Sequence, residues 1–274
     1  MLTLQAIAKT LGGHVSGREV LVPTPGHSKR DRGTAIRLAP GAPDGLLVAC
    51  YNGGWREIAM VKDALRDAGI LPGWDGQRRE LTDAERAAIA QAELEREREK
   101  AEAHKAGAVE AQQRLSRARP ADPAHPYLAR KRIGAERIWQ AGQWLLVPMQ
   151  DKAGKVWNVQ RIAPAANEHG GWPKIFLKGA RVHGLFWWAG RPADRVVIGE
   201  GVGTVAAVRR ATGLPVVAAM TADNLPAVAS LVRAKRADMA ITIAADDDPK
   251  GHAKAREAAA LVGASIAYPG GAGQ

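Results

Sequence analysis

At 274 residues the chain is long enough for one large or two to three small domains, each able to bury its own core. Its one cysteine, Cys50, excludes a disulfide framework and any zinc site built from several thiolates, and no run of 18 apolar residues offers a membrane span. With 39 Lys and Arg against 28 Asp and Glu the net charge is +11, which favours a polyanionic partner.

The opening LTLQAIAKTLGG lacks the basic start, long apolar run and cleavage site of a signal peptide, so a cytoplasmic location is expected. It predicts a short helix with Leu4, Ile7 and Leu11 on one face, stopped by Gly12 and Gly13. REVLVP, TAIRLAP and LLVACYNGG then read as three short antiparallel strands divided by Gly, Pro and Asp turns. WREIAMVKDALRDAGI has helical spacing through Ile58, Val61 and Leu65, and ends at Gly69; a boundary is expected over residues 71–76. From Leu81 to about Arg117 the chain is Ala, Glu, Arg, Lys and Gln, opened by a Thr82 to Glu85 capping pattern, which predicts a long exposed connecting helix.

The charge is concentrated beyond that helix. Between Arg114 and Gly190 there are 13 Lys and Arg against four Asp and Glu, and six of the eight tryptophans fall in the same stretch. Cations that neutralise phosphates, interleaved with flat rings on which bases stack, suit a single-stranded nucleic acid groove. Strands are expected at QWLLVPMQ and VWNVQRI. The last eighty residues alternate apolar strands (VVIGEG, LPVVAAM, MAITIAADDD, ASIAYP) with amphipathic helices, the pattern of a parallel sheet covered on both faces.

Two of those strands end in acids: Glu200 in one case, Asp246, Asp247 and Asp248 in the other. In open α/β sheets the active crevice lies at the carboxyl ends of the strands, so neighbouring strands would bring these acids together. Alternation through the triplet would put Asp246 and Asp248 on one side and Asp247 on the other. Crowded carboxylates need a cation, and hard oxygen ligands suit Mg²⁺ or Mn²⁺.

IGEG followed by a helix, with ADDD closing a later strand, resembles the Toprim fold of DnaG-type primases, type IA and II topoisomerases, OLD-type nucleases and recombination mediators of the RecR kind. The resemblance implies that Glu200, Asp246 and Asp248 are the catalytic and metal-binding acids. Upstream, VPMQDKAGKVWNVQRI and KIFLKGAR are similar to the basic half of the DnaG-type polymerase core, which topoisomerases and nucleases lack. By that likeness Arg161, Lys174, Lys178 and Arg181 would bind nucleotide or DNA, with Lys254 (and Lys250) reaching a phosphate from the helix after the aspartates. GGHVSG and PTPGHSKRDRG resemble a decayed primase zinc ribbon. His27 and Cys50 occupy two plausible ligand positions, but Thr24 and Gly53 stand where thiolates would be expected, so zinc is not expected. His27, Lys29, Arg30 and Arg32 would touch the template, and His27 would bond Asp31 or a phosphate.

The resulting expectation is an α/β protein: a C-terminal doubly wound parallel-sheet Toprim domain (193–274), a mixed α+β basic subdomain (120–192), a charged helical linker (77–119) and a small β-rich zinc-ribbon-like unit (1–76). The family resemblance implies a primase of a phage, plasmid or other mobile element. It would make RNA primers from ribonucleoside triphosphates on single-stranded DNA, with Mg²⁺ or Mn²⁺ and with a replicative helicase as a further partner; no membrane partner is expected. A metal-dependent nuclease and a catalytically silent adaptor for DNA or helicase are the alternatives.

Overall fold

The computed structural model describes residues 2–42, 44–73 and 82–269, and within it two compact units divide between Glu97 and Arg98. The expected boundary at 71–76 falls largely outside the described residues, as does the Glu85 side chain of the expected helix cap.

The first unit opens with α1 (Leu4–Leu11), capped by the Thr3 hydroxyl and closed by Gly12 in the left-handed region at φ 65°. A four-stranded antiparallel meander follows: β1 (His14–Ser16), β2 (Glu19–Val22), β3 (Thr34–Leu38) and β4 (Leu46–Cys50), in spatial order β1-β2-β3-β4. Three of these strands match the expected ones. The fourth, β1, is three exposed residues with Val15 as its one apolar side chain, too short for an apolar alternation to announce it. α2 (Trp55–Asp67) lays Val61 and Leu65 on a core with Ile7, Val20, Val22, Ile36 and Leu46.

α3 (Asp83–Ser116) runs on into the second unit. There its last turns pack on a five-stranded antiparallel sheet of order β5-β6-β7-β8-β9: β5 (Arg119–Pro120), β6 (Trp139–Ala141), β7 (Trp144–Gln150), β8 (Val156–Ile162) and β9 (Lys174–Ile175). The contact is made of small residues. Ala111 is fully buried with Val159 and Leu177, and a Cβ at Gly107 would collide with the methyl of Ala180. The expected exposed connector is therefore half a packed element. A short helix, α4 (Pro126–Lys131), precedes β6, with Pro126 at its first turn and His125 accepting from the Tyr127 backbone N–H.

The remaining sheet has the order β10-β12-β11-β13-β14, formed by β10 (Trp187–Ala189), β11 (Arg195–Gly199), β12 (Val216–Ala218), β13 (Ala240–Ala244) and β14 (Ser265–Ala267). All neighbours are parallel except β10, which runs antiparallel to β12. β10 thus lends the expected 120–192 subdomain's chain to the second sheet. α5 (Val202–Thr212) follows β11, a 3-10 turn (Ala222–Asn224) leads into α6 (Leu225–Lys235), and α7 (Pro249–Val262) follows β13. Val197, Val202, Val205 and Ala206 join the core shared with the antiparallel sheet, whereas Val196 and Ile198 face α6 and α7. Alternate residues of β11 thus serve two cores, which is why the strand reads as a continuous apolar run.

Candidate active site

The chain leaves β11 toward β12 on one side and β13 toward β14 on the other, so the gap between the carboxyl ends of β11 and β13 is the sheet's topological switch point. The two strands are in register with Gly199 opposite Ala244. Glu200 is one residue past its strand and Asp246 two past its own, and both line one pocket of about 240 Å³. Asp246 Oδ1 accepts from the Thr204 hydroxyl at 3.0 Å. Asp248 is used differently: its carboxylate caps α7, accepting from the Gly251 N–H at 2.8 Å, and its own N–H donates to the Asp246 carbonyl. That turn ends the extended conformation on which the expected alternation depended, and Asp248 does not line the pocket. It remains near enough that its charge acts on Glu200.

Burial, then the charges of Asp246 and Asp248, push the Glu200 pKa above the ordinary carboxylate value, against a weaker pull from Lys174 and Lys250. Lys174 enters through strand register. It pairs with Ile162, so with Gln160 it points to the pocket side of the antiparallel sheet, while Arg161, opposite Ile175, points to the other side. Lys174 is exposed as a residue, yet protein atoms crowd its ammonium. That crowding and Lys131 lower its pKa, whereas Asp246 and Glu200 raise it.

Three further polar side chains line the pocket. Tyr127 and Lys131 come from α4 at i, i+4 spacing, and Gln160 from β8. The Tyr127 hydroxyl is buried without a protein partner, and burial pushes its pKa up to about 12. A Cβ on Gly203, in the first turn of α5, would stand 2.8 Å from that oxygen, so a glycine is needed there for the approach. Sequence reading passed over Tyr127 and Lys131; the only signal was their shared helical face.

The other expected residues are placed elsewhere. Arg161 lies over the Trp144 ring at 5.3 Å and Arg181 over Trp157 at 5.4 Å, both in grooves against α3. Lys178 is exposed in the turn after β9. Lys254 bonds Glu257 at 2.8 Å and lies 3.9 Å from Asp223, which Lys250 also engages at 2.8 Å. In the first unit, His27, Lys29, Arg30 and Arg32 form an exposed loop fixed by Asp31. The Asp31 carboxylate accepts from the Thr24 N–H at 2.8 Å and from Asn52 at 2.9 Å, and these bonds hold its pKa well below the usual range. His27 Nδ1 is 3.4 Å from Asn52 Nδ2, so Asn52 takes the place expected for His27 beside Asp31. Cys50 Sγ is 3.1 Å from the Thr34 hydroxyl, which in turn is 3.0 Å from that of Thr24.

Among the described residues no three Asp, Glu, His or Cys side chains are grouped as a ready cation cage. The donors present still suit Mg²⁺, which keeps several waters and is commonly held by one or two carboxylates plus substrate phosphates. Glu200 and Asp246 are such a pair, and the repulsion that Lys174 and Lys250 only partly offset is what a cation would relieve.

Residues 195–267, which hold the parallel strands β11 to β14 and both pocket acids, match the Toprim domain family. Toprim domains generally bind divalent metals such as Mg²⁺. The chain is similar to DNA primase TraC of Escherichia coli, in one case 38% identical over 144 residues, which is 47% of this chain and 13% of that protein. A second DNA primase TraC of Escherichia coli is 33% identical over 218 residues, covering 72% of this chain and 15% of the relative. The chain therefore spans about one seventh of the length of these curated relatives. Superposition on the Aquifex aeolicus primase (zinc-binding and RNA polymerase domains) covers 98% of this chain and 76% of that one, at 11% identity and a TM-score of 0.32. Among the described residues no helix is long and apolar enough to cross a membrane.

Proposed function

We propose that the pocket between β11 and β13 is the nucleotidyl transfer centre of a DNA primase, which makes short RNA primers on single-stranded DNA during replication of a phage, plasmid or other mobile element. The observation that carries this reading is the in-register pairing of β11 with β13, which gathers Glu200 and Asp246 on one cleft that Lys174 enters from β9, in a chain similar to DNA primase TraC. Primer synthesis joins the 3′-hydroxyl of one nucleotide to the α-phosphate of the next and expels pyrophosphate. Glu200 and Asp246 would hold Mg²⁺ or Mn²⁺, with Asp248 as a further carboxylate at the rim. A bound divalent ion supplies charge stabilisation at the phosphoryl group and a lower pKa for the attacking hydroxyl.

This chain's own side chains do the rest. Lys174 and Lys131 present two ammonium groups to the triphosphate, and the reduced pKa of Lys174 marks a cation whose surroundings call for an added negative charge. The Tyr127 hydroxyl, kept protonated by burial, donates a hydrogen bond into the pocket and so orients the incoming nucleotide. Thr204 fixes the Asp246 rotamer. In the first unit, the hydroxyl and amide groups of Thr24, Thr34 and Asn52 tie the loop ends beside Cys50, which supports a fold that needs no zinc and a pinned basic loop for template contact.

The test is incorporation of labelled ribonucleotides on a mixed-sequence single-stranded template with Mg²⁺ or Mn²⁺, beside Asp246→Asn. The expected outcome is primer synthesis by the parent chain and a loss on the order of 100-fold or more in the variant. Shortened DNA with no incorporation would replace this reading with a nuclease, and full activity in the variant would remove Asp246 from the site.

A further inference from the structure

Buried polar side chains are normally paired, and one that is not calls for a reason. Seven polar side chains are buried among the described residues, and six of them make a hydrogen bond within the protein; Gln160, 4% exposed, makes none with its side chain. Asn158, two residues back on the same face of β8, shows the usual state. Its amide donates to the Arg181 carbonyl at 2.8 Å and accepts from the Val159 and Leu177 N–H groups at 2.8 and 3.1 Å. Gln160 lines the pocket instead.

The second unpaired group at that pocket is the Tyr127 hydroxyl. Both groups are uncharged, and the cation and the phosphates already have Glu200, Asp246, Lys131 and Lys174. Template-directed synthesis asks one set of side chains to take all four nucleotides, and each base presents its own pattern of donors and acceptors. Fixed groups aimed at a base would favour one nucleotide over the rest, whereas the sugar is common to all four. A ribose 2′-hydroxyl both donates and accepts. Tyr127, kept protonated by burial, is a donor for it, and the Gln160 side chain has a carbonyl to accept from it.

We infer that Tyr127 and Gln160 are the pair that selects ribonucleotides over deoxynucleotides: the Tyr127 hydroxyl donates to the 2′-oxygen of the incoming nucleotide, and the Gln160 carbonyl accepts from its 2′-hydroxyl. A deoxynucleotide in the same pose leaves both protein groups buried and unpaired, which is how a site rejects an analogue that lacks one hydroxyl. Gly203 is the positioning residue of the pair, because a Cβ there would stand 2.8 Å from the Tyr127 oxygen and displace it. The inference rests on the reading of the pocket as a nucleotidyl transfer centre.

The experiment measures kcat/KM for each of the four ribonucleotides and its deoxy counterpart in primer synthesis with Mg²⁺, beside calorimetric titration of ATP and dATP and a thermal melt of every variant. The parent is expected to prefer the ribonucleotide by on the order of 10- to 100-fold. Tyr127→Phe and Gln160→Met should each lower that ratio severalfold, equally for all four bases, mainly by losing ribonucleotide use; a merely structural role would lower both sugars alike. Gly203→Ala should lower the ratio in the parent and lower it no further in Tyr127→Phe, where the oxygen it meets is gone. A parent-like ratio in the folded variants would overturn the inference, and so would a loss that follows the base instead of the sugar. Primer synthesis with an unchanged ratio would thus leave the pocket reading standing without the ribose pair. A parent that makes no primer, yet binds ATP above dATP and loses that preference in the variants, would do the reverse.

Discussion

Replacing Glu200 by Gln keeps the shape of the side chain and removes the charge that burial, Asp246 and Asp248 all oppose. Because the folded pKa is raised above the unfolded value, the ionised carboxylate costs stability at every pH above that folded value. The cost fades as pH falls toward the unfolded value, near 4, where the group is protonated in both states. Without divalent metal, at about pH 8, Glu200→Gln should therefore be more stable than the parent by about 1 kcal/mol, in the range seen when a strained functional group is removed. For a unit of this size that is a rise of about 2–4 °C in Tm. Metal reverses the ranking: for a site with a Kd of about 1 mM, 10 mM Mg²⁺ stabilises the parent by about 1.4 kcal/mol. The variant, with one carboxylate fewer, should gain little. Differential scanning fluorimetry at about pH 4 and pH 8, with EDTA or Mg²⁺, reads all four conditions. A variant less stable than the parent in EDTA at pH 8 would refute the electrostatic argument, and one that responds equally to Mg²⁺ would refute the cation assignment.

Tyr127→Phe should fold normally, since the hydroxyl it removes has no protein partner, and should raise KM for nucleotide more than it lowers kcat in the primer assay. Gly107→Ala drives a methyl into Ala180 and should cost about 1–3 kcal/mol in a urea melt, whereas Gly134→Ala, with open space around it, should not. In the first unit, Asp31→Asn should lower thermal stability at neutral pH. Its folded pKa is depressed, so the contribution is present above the unfolded value and is lost as pH falls through the folded one; the gap to the parent should begin to narrow at about pH 4 and keep narrowing at lower pH. Thr24→Val removes partners from the Thr34 and Asn52 side chains and should cost about 1–3 kcal/mol.

The parallel sheet was legible because its strands are buried on both faces and read as apolar runs, with Glu200 and the aspartates marking where two of them end. That those strands are neighbours is a matter of strand order, which no local pattern encodes. Arg161 shows a different limit. The alternation in VWNVQRI separates Gln160 from Arg161, but which of the two faces the pocket follows from pairing with the short β9, and the family likeness favoured the residue on the far face. Asp248 could be read as a ligand or as a helix cap from its place before Pro249, and the structure uses it as the cap. The packed half of α3 was hidden because Gly107 and Ala111 seat a helix by being small, which leaves no apolar periodicity to detect.

β10 belongs in sequence to the basic region and in space to the parallel sheet, where Trp187–Ala189 closes the outer side of β12. A protein cut before residue 193 would leave the backbone donors and acceptors of Val216–Ala218 bare along an apolar edge, an invitation to intermolecular strand pairing and precipitation. The smallest piece worth expressing from this half of the molecule therefore begins upstream of the tryptophan pair.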